Sequence, residues 1–206
     1  MEIADAEHIV DEEDILKVDG PEVTREILRF EAYAEATLRI ANQFGSKVPV
    51  DEIIFDRMYF EDTEEVLNQW RIPRHREWIS LDWWALRKNQ SKRVDVTIRC
   101  RDFLCGLMMA KRSKNRFCVT VRYLEGNPNH HPLSGYVLPI SLIVAESFAY
   151  VYGIRNVLIS RPEKALLSLY VRSGYALNTA DKERQKRNSN PRAKLMAKVV
   201  PIKQLM

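Results

Sequence analysis

From Glu22 to Phe44 apolar residues return every three or four positions, at Ile27, Phe30, Ala34, Leu38 and Ala41. This spacing predicts an amphipathic helix with that face on the core, entered at Asp19-Gly20-Pro21 with Asp19 as cap and closed by Gly45. Val48 to Phe60 mixes Ile53, Ile54, Phe55, Met58, Tyr59 and Phe60 and suits a strand or a short helix. Asp62-Thr63-Glu64-Glu65 resembles a capping box leading to a helix through Trp70, and Ser80 opens another through Leu86. Beyond Arg93 the period changes from 3.6 to 2, with Val94, Val96 and Ile98 alternating with Asp95, Thr97 and Arg99. Turns near Arg101-Asp102 and over Lys111 to Arg116 lead into Phe103 to Ala110 and Phe117 to Leu124, so three strands form an antiparallel meander.

A loop from Gly126 to Gly135 precedes a helix ending at Tyr152-Gly153, with Gly153 as its stop. Its apolar residues cover most of its circumference, which predicts near-complete burial. Asn156 to Ser160 reads as a short buried strand, and strand, long helix, strand requires a parallel crossover. After Arg161-Pro162, Glu163 to Ser173 is helical, with Ala165, Leu166, Leu169 and Tyr170 as its stripe and Gly174 as its end. Tyr175 to Asn178 and Leu195 to Ile202 are the last strands, flanking a basic loop from Asp181 to Lys194. The expected class is α+β: a mixed sheet with helices on both faces, one domain over 21–206 after an acidic segment 1–20.

Composition adds limits. Hydrophobic residues at 46% and charged residues at 29% of 206 residues are ordinary globular values. The longest apolar run, Tyr136 to Tyr152, is broken by Pro139, Ser141, Glu146 and Ser147, and the acidic N-terminus lacks a signal-peptide pattern. A soluble cytoplasmic protein without membrane contact is the expectation. Cys100, Cys105 and Cys118 form no C-x-x-C pair and read as reduced core thiols, with no metal implied. Trp70, Trp78, Trp83 and Trp84 cluster in one region and read as packing under a lid rather than as a base-stacking platform. The net charge of +4 is uneven. Residues 1–20 carry eight acids against Lys17, and Lys182 to Lys198 carries seven bases against Glu183. Such blocks are solvated tails, or the basic one meets phosphate.

The order of elements, with Leu169-Tyr170-Val171-Arg172-Ser173-Gly174-Tyr175 after the strand Asn156 to Ser160, resembles the GNAT superfamily of acyl-CoA-dependent N-acyltransferases over about Val94 to Val200. The family's order is a meander, a splayed strand, a phosphate-binding loop, a helix, a strand, and a helix bearing Leu-Tyr-x-x-x-Gly-Phe/Tyr. The resemblance implies acetyl-CoA or another acyl-CoA as co-substrate and an amine acceptor, small or macromolecular. It also implies backbone pairing of Tyr123 and Leu124 with the pantetheine arm. Helix N-termini present unpaired N–H groups and partial positive charge to a pyrophosphate, which places the cradle at Ser134, Gly135, Tyr136 and Val137. The family's loop is Arg/Gln-x-x-Gly-x-Gly/Ala; here Pro132 stands at its first position and Val137, with a side chain where close approach is wanted, at its last. His130, His131 or a base from 182–194 could compensate.

Transfer needs an amine freed of its proton and a proton for the departing thiolate. Tyr170 matches the family's acid, though one aromatic on an apolar stripe is equally a core residue. Glu125, ending the meander beside Gly126, stands where members place a base, and also suits a plain turn. His130 and His131 are rival bases by pKa, although adjacent histidines in a polar loop are usually exposed. The alternative function is a catalytically inactive GNAT-like protein contacting nucleic acid or a protein partner through residues 182–198.

Overall fold

The computed structural model describes residues 20–70, 81–88, 93–113, 117–187 and 194–203. In chain order these form α1 (Gly20–Phe44), β1 (Ile53–Asp56), α2 (Phe60–Glu65) running into a π-helical turn at Val66–Trp70, α3 (Trp83–Lys88), β2 (Arg93–Cys100), β3 (Phe103–Arg112) and β4 (Cys118–Gly126). There follow α4 (Val137–Val151), β5 (Asn156–Ser160), α5 (Leu167–Arg172), β6 (Ala176–Leu177), α6 (Thr179–Lys186) and β7 (Leu195–Val199). The acidic segment before Gly20, the Asp19 cap, Trp78 and Arg192 lie outside the described residues.

One seven-stranded sheet runs in the order β1-β2-β3-β4-β5-β7-β6 among the described residues. The meander pairs antiparallel, and α4 carries the chain over to β5, which pairs parallel with β4. β7 lies antiparallel between β5 and β6, so the two C-terminal strands are neighbours with the later one inside.

Alternation sorts side chains onto two faces. Val96, Ile98, Met108, Ala110, Val119, Val121, Val157, Ile159 and Met196 share a cluster with buried residues of α1 and α4. Leu104, Leu107 and Met109 pack on the other face with Met58, Val66, Trp70 and Trp83. α4 is buried from Ile140 through Ala149, as its all-round apolar sequence predicts.

The orientation of α1 corrects the sequence reading. Its core face is Ala32, Ala36 and Ile40, all 0% exposed, whereas Ile27, Phe30 and Leu38 are 53%, 77% and 62% exposed. Ala32 and Ala36 are small enough to let α1 approach the bulky α4, and the larger stripe on the opposite side is left in solvent.

Other expectations shift by smaller amounts. α2 begins at Phe60, so Asp62 lies in the first turn, where its Oδ2 accepts the Tyr59 N–H at 2.7 Å. The basic stretch is helical over Thr179–Lys186, capped by the Asn178 side chain accepting from the Asp181 N–H at 2.8 Å. Lys198 leaves the solvated group altogether, since its Nζ donates to both oxygens of the buried Glu146 at 2.8 Å. Cys100 and Cys105 are buried and Cys118 half-buried, all three free thiols. Burial pushes the Cys100 thiol up and that of Cys105 to about 12. No helix among the described residues is long and apolar enough to cross a membrane.

Candidate functional site

The site is built around the C-terminal half of β4. Met109 pairs with Tyr123 and Ala110 with Val121, so Arg122 is an extra residue, a β-bulge that bends and twists the strand. Parallel pairing with β5 spans Cys118–Val121 against Asn156–Ile159 and ends there. Arg122 has no partner in the register, and from Tyr123 to Gly126 β4 pairs only with β3. A strand with one partner directs alternate N–H and C=O groups away from it, and here those groups face the side that β5 has left. Tyr123 and Leu124 lie within this stretch, both half-buried, with Leu124 toward α4 and Tyr123 toward α3.

The loop from β4 to α4 is held by hydrogen bonds that its sequence pattern did not reveal. Asn127 donates through its backbone N–H to Cys105 O and through Nδ2 to Leu104 O, both at 2.8 Å. His131 lies 3.2 Å through Nε2 from Asn127 O, an acceptor only, so that nitrogen carries the proton. Its Nδ1 then accepts the Leu133 N–H at 3.2 Å. Burial lowers the imidazole pKa below the usual histidine value and keeps the ring neutral. Of the paired histidines, His130 is exposed as expected and His131 is 4% exposed, a loop brace rather than a solvent-facing base.

Ser134 Oγ is engaged inside the same loop, donating to His131 O at 2.8 Å and accepting the His131 N–H at 3.0 Å. Gly135 takes φ +83°, a left-handed conformation that favours glycine, and the space beside it is open. Tyr136 caps α4 without a side-chain hydrogen bond, and its ring rests edge-on against Phe44 of α1, 5.4 Å between centroids. Val137 and Leu138 present the first-turn amides, which have no carbonyl a turn earlier within the helix, while Pro139 has none to present. The Val137 side chain turns down onto the sheet, with Cγ1 over Gly106 and Gly126, which pair directly. It therefore fills core and leaves the mouth of the helix to backbone groups.

Tyr170 sits on α5, 6% exposed, in the cluster on the α4 face. Burial, then the nearby Glu163 carboxylate, raises its phenol above the ordinary value of 10.0. The helix ends in a Schellman motif: the Tyr175 N–H donates to Tyr170 O at 3.0 Å and the Gly174 N–H to Val171 O at 2.9 Å, with Gly174 at φ +86°. Beside it, Lys198 Nζ lies 5.6 Å above the Tyr175 ring, and burial and Glu146 raise that tyrosine's pKa well above 10.

Glu125 approaches from the other face. It is 4% exposed, and its Oε2 accepts the indole N–H of Trp83 at 2.7 Å. Tyr123 packs edge-on against Trp83, centroids 6.5 Å apart. One turn further along α3, Arg87 Nε donates to Oδ2 of Asp95 at 3.0 Å. Asp95 is a buried carboxylate ringed by Arg29, Arg87 and Arg93 and by the Met58 N–H; burial opposes its charge, but the three guanidiniums hold its pKa below the usual value. Trp70 and Trp83 are thus packing residues, as expected, and Trp83 is a polar partner as well. Trp84 is half-buried, edge-on to Phe60 with Arg87 and Lys88 over its ring.

No protein-family model and no curated protein matches the chain. Solved structures do. Ard1 from Thermoplasma volcanium superposes with a TM-score of 0.51 at 11% identity, over 73% of this chain and 99% of that one. An acetyltransferase of the GNAT family from Staphylococcus aureus Mu50 gives 0.51 at 11% identity, over 72% and 99%. The chain has the GNAT fold. In the order of that fold, β4 is the strand whose pairing with β5 ends part-way, the loop braced by His131 leads into α4, and α5 carries the Leu-Tyr-x-x-x-Gly-Tyr segment.

The sequence-derived residues fall on three elements: Tyr123, Leu124 and Glu125 on the half of β4 that β5 does not pair with, Ser134 to Val137 at the start of α4, and Tyr170 on the helix after β5. A separate cleft of about 390 Å³, lined by Asn178, Ala180, Asp181, Arg184 and Lys194, contains none of them. Trp83, Arg87 and Asp95 were not singled out from the sequence as parts of the site, and His131, read there as a rival base or phosphate partner, instead braces the loop. A lone Asp in a period-2 strand offered the one available signal: Asp95 interrupts a segment whose neighbours on both sides are buried.

Proposed function

We propose that this chain is an acyl-CoA-dependent N-acyltransferase, transferring acetyl or another short acyl group to an amine. The observation that carries the reading is the end of β4–β5 pairing at Val121 and Ile159, on the edge of the Arg122 bulge. An extended pantetheine arm would hydrogen-bond along Tyr123 and Leu124. The pyrophosphate would sit against the amides of Gly135, Val137 and Leu138 at the uncapped start of α4, a cradle that the inward turn of Val137 keeps clear of side chain. The residues present fit backbone recognition of an anion, with no arginine required at the Pro132 position.

In the reaction the acceptor nitrogen attacks the thioester carbonyl, a C–N bond forms and the C–S bond breaks. Glu125 takes the ammonium proton, directly or through water, and the Tyr170 phenol gives its proton to the thiolate. The acceptor would arrive on the α3 face, where Glu125 lies, and the thioester through the opening from the α4 side. The Staphylococcus aureus structure of similar fold is named as an acetyltransferase of the GNAT family, which supports this reading.

Isothermal titration with acetyl-CoA and with desulfo-CoA, followed by thiol release in the presence of a panel of primary amines, tests the reading. Micromolar binding of both and amine-dependent CoA release are expected. No heat with either ligand overturns it.

A second reading, binding of nucleic acid through 182–198 by an inactive relative, draws on the exposed Lys182 and Lys186 of α6 and Arg187 just beyond it. Its charge is reduced by pairing of Lys186 with Glu183 at 2.7 Å and of Lys198 with Glu146. Unchanged binding and salt dependence after neutralising Lys186, Arg187 and Arg192 would rule it out.

A further inference from the structure

We infer that Trp83 is a positioning residue for Glu125, and that α3 is the element that sets the base against the acceptor. This rests on the reading of Glu125 as base given above. The indole N–H and Glu125 Oε2 are 2.7 Å apart, with Trp83 2% and Glu125 4% exposed, so water cannot substitute for the donor. A carboxylate at the end of a strand swings about its side-chain torsions unless something fixes it, and the indole N–H is a donor with a single direction. α3 is only six residues long and gains that rigidity from a second anchor. Trp83 and Arg87 stand four apart on one face of the helix, and each bonds a buried carboxylate of the sheet, Glu125 on β4 and Asp95 on β2. Tyr123, two residues before Glu125 on the same strand, packs edge-on against the indole ring, so the ring has contacts to this strand besides its N–H bond.

The same contacts state which step Trp83 serves. They lie on the α3 face, away from the α4 mouth where the CoA phosphates would bind, so Trp83 acts on proton removal from the amine and not on capture of the acyl donor.

The test is a double-mutant cycle of Trp83→Phe and Glu125→Gln, with acetyl-CoA and the best amine of the panel as probes and thermal midpoints measured for every variant. Trp83→Phe alone is expected to lower kcat about tenfold with the acetyl-CoA KM unchanged within twofold, and to have no further effect on kcat in the Glu125→Gln background. Independent of activity, the Trp83 indole N–H proton resonance should shift on Glu125→Gln. If Trp83→Phe does not fold, replacement of Trp83 by benzothienylalanine, which keeps the ring shape and removes the N–H, runs the same cycle. Additive losses in kcat overturn the inference alone, as does a kcat unchanged by loss of the N–H. Full activity in Glu125→Gln, or a wild type that releases CoA with no amine, overturns the reading beneath it and the inference together.

Discussion

The Cγ1 of Val137 occupies the space into which a side chain on Gly106 would grow. Gly106 is paired with Gly126, so two glycines on neighbouring strands make the depression that receives the first residue of α4. This contact fixes how closely the helix start approaches the end of β4.

Gly106→Ala is therefore expected to destabilise the protein by about 1–3 kcal/mol through overpacking. The same substitution in a Val137→Ala background should cost less, because the clash is with Cγ1. Urea unfolding of the two singles and the double checks this; equal costs in both backgrounds would show that the helix, not the valine, is the obstacle.

Tyr170→Phe keeps the ring in the core and removes the proposed acid. A fall in kcat of roughly a hundredfold or more, with a thermal midpoint near wild type, is expected. Because burial and Glu163 raise the phenol above 10.0, it stays protonated at neutral pH, and the basic limb of the pH–rate profile should lie above pH 10. Removing the negative charge with Glu163→Gln should move that limb to lower pH; a shift upward would contradict the assignment.

His131 makes a different pH prediction. Its pKa is lowered in the folded chain, so between that value and the unfolded 6.5 the unfolded state binds more protons. Stability is complete above about pH 6.5 and falls as pH drops through the folded value. Thermal midpoints of wild type should decline from pH 7 to pH 5 more steeply than those of His131→Gln. The same variant should weaken desulfo-CoA binding, because His131 braces the loop leading to α4.

Phe30 separates two views of α1. At 77% exposure, Phe30→Asp should change stability by no more than about 0.5 kcal/mol. Ala36→Asp, at a site with 0% exposure against α4, should prevent folding or cost several times as much. Chemical denaturation of both decides between them.

The sequence by itself determined what depends on near neighbours. The period-2 runs became β2, β3 and β4, the all-round apolar stretch became the buried α4, and the Leu169 to Tyr175 segment became a helix closed by Gly174. That last spacing is a rule of local hydrogen bonding, since the amides of Gly174 and Tyr175 reach back to Val171 and Tyr170. Tertiary structure decided the rest. The periodicity of α1 located an apolar stripe but could not say that Ala32 and Ala36, on the opposite side, would face α4. The bulge at Arg122 is a mismatch between two strands, and the end of β4–β5 pairing at Val121 is a register between two more, neither written in any one segment. Glu125 was legible as a strand-end acid, but the indole N–H that holds it comes from a residue 42 positions earlier. The size of the Val137 side chain was legible, but its direction was not, because the paired glycines beneath it set that.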